Sequence, residues 1–309
     1  MNPYTPPPLF FNRHIETIYP SLIRKVEFRP AQRERITTPD DDFLDLDWYH
    51  QQSAKCVIIS HGLEGNSQRS YMRGMAKVFF QAGYDVLTWN FRGCSGEINR
   101  QPRFYHSGAT DDLHTVVLHT QQRYDQLFLI GFSLGGNLTL KYLGEAPPPT
   151  SIKRAVAFSV PLNLHTSCLL LSKNSNWIYS RRFLRKLVEK LKSKPSLQKV
   201  VDLSQLNQIK TMMEFDDHFT GPLHGFKDAL DYYAKCSSLH FLQGINVPTL
   251  VVNAKNDPLL SADCFPTQQY AHITFEFPER GGHVGFAMFG HNGLYWSEMR
   301  ALAFIESKE

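Results

Sequence analysis

Residues 127–137 read LFLIGFSLGGN, and most of what the sequence indicates about the fold follows from this stretch. Its first four residues are apolar, which is typical of a strand buried on both faces of a parallel sheet. The motif Gly131-x-Ser133-x-Gly135 follows, and the residues after it have a helical pattern. A strand, this motif and a helix in that order predict a nucleophile elbow that exposes Ser133. Gly131 and Gly135 fit this interpretation because side chains there would collide across so tight a turn.

Two backbone N–H groups are candidates for binding a negatively charged oxygen that develops next to Ser133. A short apolar strand at residues 56–60 runs directly into the loop sequence HGLEG. In enzymes with such an elbow, one donor comes from the loop after the third strand and one from the residue after the nucleophile. The predicted oxyanion hole therefore consists of the N–H groups of Leu63 and Leu134. His61, in the same loop, is interpreted as a structural residue that shapes it.

Short apolar runs alternate with helical patterns along the chain, which indicates an α/β fold with a mostly parallel, doubly wound sheet flanked by helices. Asp257 follows an apolar run that predicts a strand, and His283 lies in a glycine-rich loop after the next strand. The order Ser133, Asp257, His283 is that of the catalytic triad in the α/β-hydrolase fold, so we predict this triad. Asp263 is the alternative acid, but it lies far beyond the strand end. Ser95 is rejected as the nucleophile, because no strand directly precedes it and no helix follows.

Residues 162–241 interrupt this alternation and are predicted to form a helical cap, inserted over the active site of a single α/β-hydrolase domain that comprises residues 1–309. Within the cap, residues 177–192 predict an amphipathic helix that carries many lysines and arginines. Its basic face is interpreted as solvated. A weak contact with a membrane surface is the alternative.

The predicted cap contains two adjacent carboxylates, Asp216 and Asp217, which are flanked by aromatic residues. Adjacent aspartates usually belong to a solvated turn or to the N-terminal cap of a helix. Arg92 and Arg103, however, are predicted to lie in a loop at the end of the sheet that the cap would cover. We hypothesise that Asp216 or Asp217 tethers the cap to the core through one of these arginines.

The first 50 residues are predicted to add only peripheral structure. The proline-rich opening, which contains three consecutive prolines at residues 6–8, predicts an extended course over the body of the protein. Residues 43–48 alternate apolar and acidic side chains, which predicts an antiparallel strand at the edge of the sheet. The three aspartates at residues 40–42 are interpreted as a solvated turn, because the loop lacks the glycine and the terminal glutamate of a calcium-binding loop.

Composition and charge argue against several classes of function. The chain of 309 residues has a formal net charge of +4 and no basic run interleaved with aromatic residues, so no nucleic-acid partner is expected. No apolar run reaches the roughly 18 residues that a membrane span needs, and no signal peptide is predicted. The five cysteines form no C-x-x-C pair, which indicates neither a zinc site nor a disulfide framework and favours a cytoplasmic location. The predicted chemistry needs no metal and no cofactor.

Several motifs longer than the elbow resemble those of a known family. They are PPL at residues 7–9, HGLEGNS at 61–67, NFRGCSG at 90–96, RFYHSG at 103–108, GFSLGGN at 131–137 and FDD at 215–217. Through them nearly the whole chain resembles the YheT-like α/β-hydrolases, also called alpha/beta hydrolase superfamily 4. Glu16 stands where this family is expected to have glutamine, at a position expected to lie far from the triad.

The resemblance implies a triad of Ser133, Asp257 and His283 and the hydrolysis of carboxylic esters. Eukaryotic members of the family act on medium-chain acyl esters and lipids, and some are acyltransferases. We therefore expect a serine hydrolase that cleaves small-molecule esters of short- to medium-chain acids through an acyl-enzyme. A thioesterase, an acyltransferase or an amidase would use the same triad. The alternative from another class is a non-catalytic binding protein on this fold, which would not need all three groups in order.

Overall fold

The computed structural model describes residues 3–307 and contains a single central sheet in that range. Its strands are β1 (Gln32–Thr37), β2 (Phe43–Tyr49), β3 (Lys55–Ser60), β4 (Asp85–Asn90), β5 (Gln126–Phe132), β6 (Ile152–Phe158), β7 (Thr249–Val252) and β8 (Ile273–Glu276). They lie in the order β1-β2-β4-β3-β5-β6-β7-β8. The β1–β2 and β2–β4 pairs are antiparallel and all other pairs are parallel, so the sheet is mostly parallel, as predicted.

Helices cover both faces of this sheet. They are α1 (Arg13–Ile23), α2 (Ser70–Gln81), α3 (Thr110–Gln121), α4 (Leu134–Glu145), α5 (Leu164–Leu171), α6 (Trp177–Lys192), α7 (Met212–Phe215), α8 (Gly221–Leu223), α9 (Ala229–Cys236) and α10 (Trp296–Ile305). Side chains of α3 and α4 join the apolar core on one face of the sheet, and those of α2 and α10 join the core on the other. The parallel strands therefore lie between two apolar cores.

Strand β5, which leads to the elbow, is buried on both faces because its successive side chains point into the two different cores. Leu127 and Leu129 belong to the core under α3 and α4, whereas Phe128 and Ile130 belong to the core under α2 and α10. This alternation explains why a continuous apolar run is needed here. The helix after the elbow begins directly at Leu134, three residues earlier than the helical pattern alone indicates.

Strand β2 lies between β1 and β4, so its predicted position at the edge of the sheet is wrong. All of its residues are buried, including the two aspartates. Strand β1 supplies their partners across the ladder, with Arg35 Nε donating to Asp45 and Arg33 Nε donating to Asp47, both over 2.7 Å. The acidic residues are therefore neutralised by a neighbouring strand rather than by solvent.

The N-terminal segment contains helix α1, so the extended course predicted for residues 6–20 is wrong over residues 13–20. The side-chain oxygen of Asn12 caps this helix by accepting a hydrogen bond from the N–H of His14 over 2.7 Å. Pro20 lies inside the helix, and its carbonyl oxygen accepts a hydrogen bond from Ser70 at the start of α2. The bond from Asn12 stabilises the start of α1, and the bond from Ser70 attaches α1 to α2. Helix α1 therefore packs on the body of the protein near the C-terminal ends of the parallel strands.

Helices α5 to α9 all occur between β6 and β7, within residues 162–241. Helix α6 has the bounds that the amphipathic pattern predicts, and this prediction is confirmed. These helices enclose two apolar clusters of their own, one around Phe219 and Leu191 and one around Tyr233 and Leu164. None of the helices in residues 3–307 is both long enough and apolar enough to cross a bilayer.

Candidate active site

The three residues predicted as a triad lie in one hydrogen-bonded chain, although they come from three separate loops. Ser133 Oγ donates to His283 Nε2 over 2.9 Å, and His283 Nδ1 donates to Asp257 Oδ2 over 2.8 Å. Asp257 is buried, and its other oxygen accepts the N–H of Leu259 over 2.8 Å. With one carboxylate oxygen held by the backbone and the other by the imidazole, the ring is oriented so that Nε2 faces the serine.

The backbone of Ser133 has the strained conformation expected at an elbow, with φ 54° and ψ −117°. Its N–H donates to the carbonyl oxygen of Phe158 on β6 over 2.9 Å, which holds the turn in place. A Cβ on Gly131 would lie 2.4 Å from the carbonyl oxygen of Gly135, and one on Gly135 would lie 2.5 Å from that of Ser60. A side chain at either position would collide with the neighbouring backbone, so both residues must be glycine, as the sequence predicts.

The loop that contains Leu63 lies directly against the serine. A Cβ built on Gly62 would be 3.7 Å from Ser133 Oγ. Within the described range of the chain, the N–H groups of Leu63 and Leu134 have no hydrogen-bond acceptor, whereas Gly62 and Glu64 donate to Tyr71 and Tyr105. Two N–H groups are thus left available next to Ser133, which is the arrangement that an oxyanion hole needs.

His61 shapes this loop, and both of its ring nitrogens are occupied. Nδ1 donates to the carbonyl oxygen of Gly62 over 2.8 Å, and Nε2 accepts the N–H of Phe91 over 3.1 Å. Burial lowers the pKa of His61 to about 3, so the ring stays neutral at physiological pH. The structural interpretation of His61 is therefore supported by its contacts, and the residue cannot take up a proton from the serine.

The histidine loop is held by side chains that the sequence did not single out. The N–H of His283 donates to Thr17 Oγ1 over 2.9 Å, and the N–H of Val284 donates to Ser159 Oγ over 2.8 Å. Val284 has a φ of 54°, which is unusual for a β-branched residue. These two bonds, from α1 and from the end of β6, hold a strained loop in the conformation that presents the imidazole.

Glu16 joins the loop of the acid to the loop of the histidine, so the expectation that it lies far from the triad is wrong. Its buried carboxylate accepts the N–H of Gly281 over 2.7 Å and the side-chain amide of Asn256 over 2.9 Å. Arg280 Nε donates to the same carboxylate over 2.8 Å. Asn256 directly precedes Asp257, and its amide oxygen accepts the N–H of Gly282. No local sequence pattern identifies this role, because the partners lie at the other end of the chain.

Replacing Glu16 by alanine is expected to lower kcat for p-nitrophenyl butyrate by about a hundredfold, because small misplacements of a catalytic group have effects of that size. Glu16→Gln keeps an oxygen for the N–H of Gly281 and is expected to retain most of kcat. Glu279→Ala is the matched control, since Glu279 is an exposed glutamate in the same loop. Steady-state kinetics and melting temperatures of the three variants check this. A Glu16→Ala enzyme with a lower melting temperature but unchanged kcat would contradict a positioning role.

The hypothesis of an aspartate–arginine tether is wrong. Arg92 is buried and donates to Asp112, Asp42 and Asp40, and Arg103 donates to Asp40 and Asp111. These nearer aspartates satisfy both guanidinium groups. The interpretation of residues 40–42 as a solvated turn is also wrong for Asp42, because this residue is fully buried and accepts a hydrogen bond from Arg92.

Asp216 and Asp217 both bond within the helical segment between β6 and β7. Asp216 accepts the hydroxyl groups of Tyr233 and Thr220, each over 2.6 Å, and Asp217 accepts the N–H of Ala229 over 3.0 Å. Burial raises the pKa of Asp216 to about 6. In residues 3–307 no lysine, arginine or histidine lies within ion-pair distance of Asp216, whose oxygens are bonded to hydroxyl groups instead, so this carboxyl does not form the anionic half of a tether.

Lysines of α6 make the contact between this helix and the core. Lys190 Nζ lies 2.6 Å from a carboxylate oxygen of Glu64, which also accepts the hydroxyl of Tyr105 over 2.8 Å. Lys186 Nζ donates to the carbonyl oxygen of Glu64 over 3.1 Å. The side chain of Lys190 is only 10% exposed, so the interpretation of the basic face as solvated is wrong there. Lysines four residues apart lie on one face of a helix, and this face meets the loop of Leu63.

Two cavities, each with a volume of about 140 Å³, meet at Ser133 and His283. The first, called the apolar cavity below, is lined by Leu164, Leu171, Leu187, Met212, Tyr233 and Leu260. The second, called the basic cavity, is lined by Arg69, Tyr71, Tyr179, Arg182 and Lys186. In the part of the chain that the structure describes, no three His, Cys, Asp or Glu side chains converge in a group that could hold a metal ion. A molecule bound across both cavities would contact the serine at its centre.

Comparisons with known proteins agree with this fold. The YheT protein of Escherichia coli K12, provisionally named an esterase, is 34% identical over 90% of this chain and 85% of its own length. The phospholipase ABHD3 of Bos taurus and the monoacylglycerol lipase of Saccharomyces cerevisiae are each 30% identical over 82% of this chain, which spans 66% and 59% of their lengths. The esterase Pf2001 of Pyrococcus furiosus, whose structure is solved, superimposes with a TM-score of 0.59 over 89% of both chains at 18% identity.

A family model covers most of the chain as well. The model described as serine aminopeptidase, S33, which is named Hydrolase_4, matches residues 51–272. This range contains the elbow and Asp257 and ends before His283. The predicted resemblance to YheT-like proteins and the predicted α/β-hydrolase fold are both confirmed. The chain belongs to the α/β-hydrolase family Hydrolase_4.

Proposed function

We propose that the protein is a serine hydrolase that cleaves carboxylic esters of short- to medium-chain acids through an acyl-enzyme intermediate. The observation that carries this proposal is the continuous chain of hydrogen bonds from Ser133 through His283 to Asp257, placed where the two cavities meet. A protein that only bound esters would have no need to aim an imidazole held by a buried carboxylate at a strained serine.

Acylation begins when Ser133 Oγ attacks the carbonyl carbon of the ester while its proton passes to His283 Nε2. The new bond between Oγ and carbon produces a tetrahedral intermediate, whose negatively charged oxygen accepts hydrogen bonds from the N–H groups of Leu63 and Leu134. Each such donor contributes about 3 kcal/mol to the stabilisation of the transition state. Asp257 stabilises the imidazolium that forms. The intermediate then collapses, the bond from carbon to the alcohol oxygen breaks, and His283 gives its proton to the departing alkoxide.

Deacylation repeats these steps with water in place of the serine. A water molecule loses a proton to His283 Nε2 and attacks the acyl carbon. The second tetrahedral intermediate collapses, the bond to Oγ breaks and the proton returns to Ser133, which releases a carboxylic acid. Only side chains of this protein, its backbone and water take part, so the reaction is complete without a metal or a cofactor.

The class of substrate is supported by the apolar cavity and by the relatives. Leucine, methionine and tyrosine side chains around Ser133 provide a surface for an acyl chain, which gains free energy by leaving water. We also propose that helices α5 to α9 act as a cap, because residues of this segment form about half of this wall. The names of the relatives as an esterase, a phospholipase and a lipase support ester chemistry. The family description as an aminopeptidase keeps amide hydrolysis as the second candidate, since the triad also suits amides.

A fluorophosphonate probe and a panel of substrates test the proposal. We expect the probe to label Ser133, located by peptide mass spectrometry. On p-nitrophenyl esters from acetate to palmitate, kcat/KM should be highest at a short or medium chain length. The matched thioester and anilide of butyric acid compare ester with thioester and amide turnover. Folded protein that neither reacts with the probe nor turns over any ester would favour the non-catalytic binding protein. Faster anilide than ester turnover would favour an amidase.

A further inference from the structure

The basic cavity differs from the apolar cavity in the charge of its wall. Arg69 precedes α2, and Arg182 and Lys186 lie one turn apart on α6, so the three cations approach one space from two sides. All three side chains are partly buried. Ser133 and His283 line the same cavity, which places this cluster of cations next to the bond that would be cleaved.

These cations have no carboxylate partner. In residues 3–307, none of the three has an oxygen of an acidic side chain within ion-pair distance, although Arg69 and Lys186 both donate to the carbonyl oxygen of Glu64. The carboxylate of Glu64 is bonded to Lys190 and Tyr105 instead.

Other charged groups beside this cavity are neutralised by partners of opposite sign. Arg24, which also lines it, forms an ion pair with Glu298 over 2.6 Å. Glu64 lines the cavity as well, and its carboxylate pairs with Lys190. Among the described residues, Arg69, Arg182 and Lys186 therefore remain as charged groups of this wall without an ion pair.

Arg69, Arg182 and Lys186 also repel one another electrostatically. Burial and the neighbouring guanidinium of Arg69 lower the pKa of both Arg182 and Lys186. Partly buried like charges destabilise the folded protein unless something compensates them. An anion that bound between them would relieve this repulsion and would gain charge-assisted hydrogen bonds from two planar guanidinium groups.

We propose that the basic cavity binds an anionic group, a phosphate or a carboxylate, carried by the alcohol part of the ester substrate. This inference rests on the proposed ester hydrolysis. The apolar cavity suits the acyl chain, and an anionic group placed there would lose its hydration without gaining a lysine or arginine partner among the residues that line it. The basic cavity then takes the other half of the molecule, with the ester carbonyl at Ser133. Arg69, Arg182 and Lys186 are thus assigned as residues that determine specificity for the leaving group.

Three soluble esters with the same acyl group test this proposal. They are 1-butyrylglycerol 3-phosphate, butyrylglycolate and the neutral 1-butyrylglycerol, and their short chains keep them monomeric in solution. We expect kcat/KM of at least one anionic ester to exceed that of the neutral ester by about tenfold or more. The phosphate and carboxylate arms show which anion is preferred. Added salt should reduce the preference, because ions in solution screen the cations.

Substitutions separate this subsite from general effects of charge. In the double variant Arg182→Gln and Lys186→Gln, the preference for the anionic ester should fall about tenfold. Arg185→Gln is the matched control on the same helix, since Arg185 is exposed and faces Glu189 at 3.7 Å. It should keep the wild-type preference. Equal kcat/KM for the three esters in wild type, or an unchanged preference in the double variant, would overturn the inference.

Two further measurements keep the subsite and the proposed function distinguishable. Turnover of neutral 1-butyrylglycerol and labelling by the fluorophosphonate probe report on the catalytic function alone. Binding of glycerol 3-phosphate to wild type, followed by calorimetry, reports on the subsite alone and is expected to be lost at high salt. Absence of that binding overturns the subsite even if esters are cleaved. The assay is repeated with phospholipid vesicles present. If the preference for anionic over neutral esters occurred only then, the cations would be assigned to contact with a membrane surface instead.

Discussion

Replacement of Ser133 by alanine is expected to lower kcat for p-nitrophenyl butyrate by about a millionfold, the effect measured when the nucleophile of a serine hydrolase triad is removed. The hydroxyl supplies both the attacking oxygen and the proton that His283 accepts, so no acyl-enzyme can form without it. The side chain of Ser133 bonds only to His283 Nε2 among the described residues. The melting temperature is therefore expected to stay close to that of wild type.

Stopped assays over long incubations, with the protein repurified to remove wild-type traces, measure so small a residual rate. Ser95→Ala is the matched control, because Ser95 lies in the glycine-containing loop after β4, where its carbonyl oxygen accepts a hydrogen bond from Arg33, and it lines neither cavity. It should keep wild-type kcat and labelling by the probe. Activity of Ser133→Ala within tenfold of wild type would end the assignment of the nucleophile.

Replacement of Asp257 by asparagine is expected to lower kcat by about ten-thousandfold with little change in KM. The amide of asparagine can donate a hydrogen bond to His283 Nδ1, which favours the tautomer with its proton on Nε2. In that tautomer the ring cannot accept the proton of Ser133. The size of the substituted group is unchanged, so the fold should tolerate it.

Asp263→Asn provides the control for this second substitution. Asp263 is the alternative acid considered from the sequence, and in the structure it is exposed and accepts a hydrogen bond from Asn163. Its variant should keep wild-type kcat. If Asp263→Asn lost activity while Asp257→Asn retained it, the acid of the triad would have to be reassigned, and the hydrogen bond between Asp257 and His283 would be structural only.

The sequence predicts those parts of the site that depend only on neighbouring residues and on the order of strands and helices. The elbow is recognisable because a buried strand, two glycines and a helix follow one another within a dozen residues. Asp257 and His283 can be chosen because parallel strands bring their C-terminal ends to one edge of the sheet. Each of these inferences needs only the identity of neighbouring residues and the order of elements.

The parts that sequence misses depend on pairs of residues from distant segments. Arg92 has several aspartates available in sequence, and only the packed structure shows that Asp112, Asp42 and Asp40 surround it. The contact between Lys190 and Glu64 spans 126 residues and follows no short pattern. Charge alone therefore suggested pairing Asp216 or Asp217 with Arg92 or Arg103, whereas the structure pairs these arginines with other aspartates and brings α6 to the core through Lys190.

The place of Glu16 has a consequence for how the protein is made. Its partners Asn256 and Gly281 lie 240 and 265 residues further along the chain. During synthesis, a nascent chain that has emerged through β7 still carries this glutamate without most of the groups that compensate its burial. Contacts between such distant segments close late, because joining the ends of a long loop costs entropy. We therefore expect the N-terminal helix to reach its final place only after residues 256–281 are available, in the same late step that brings the loops of Asp257 and His283 together.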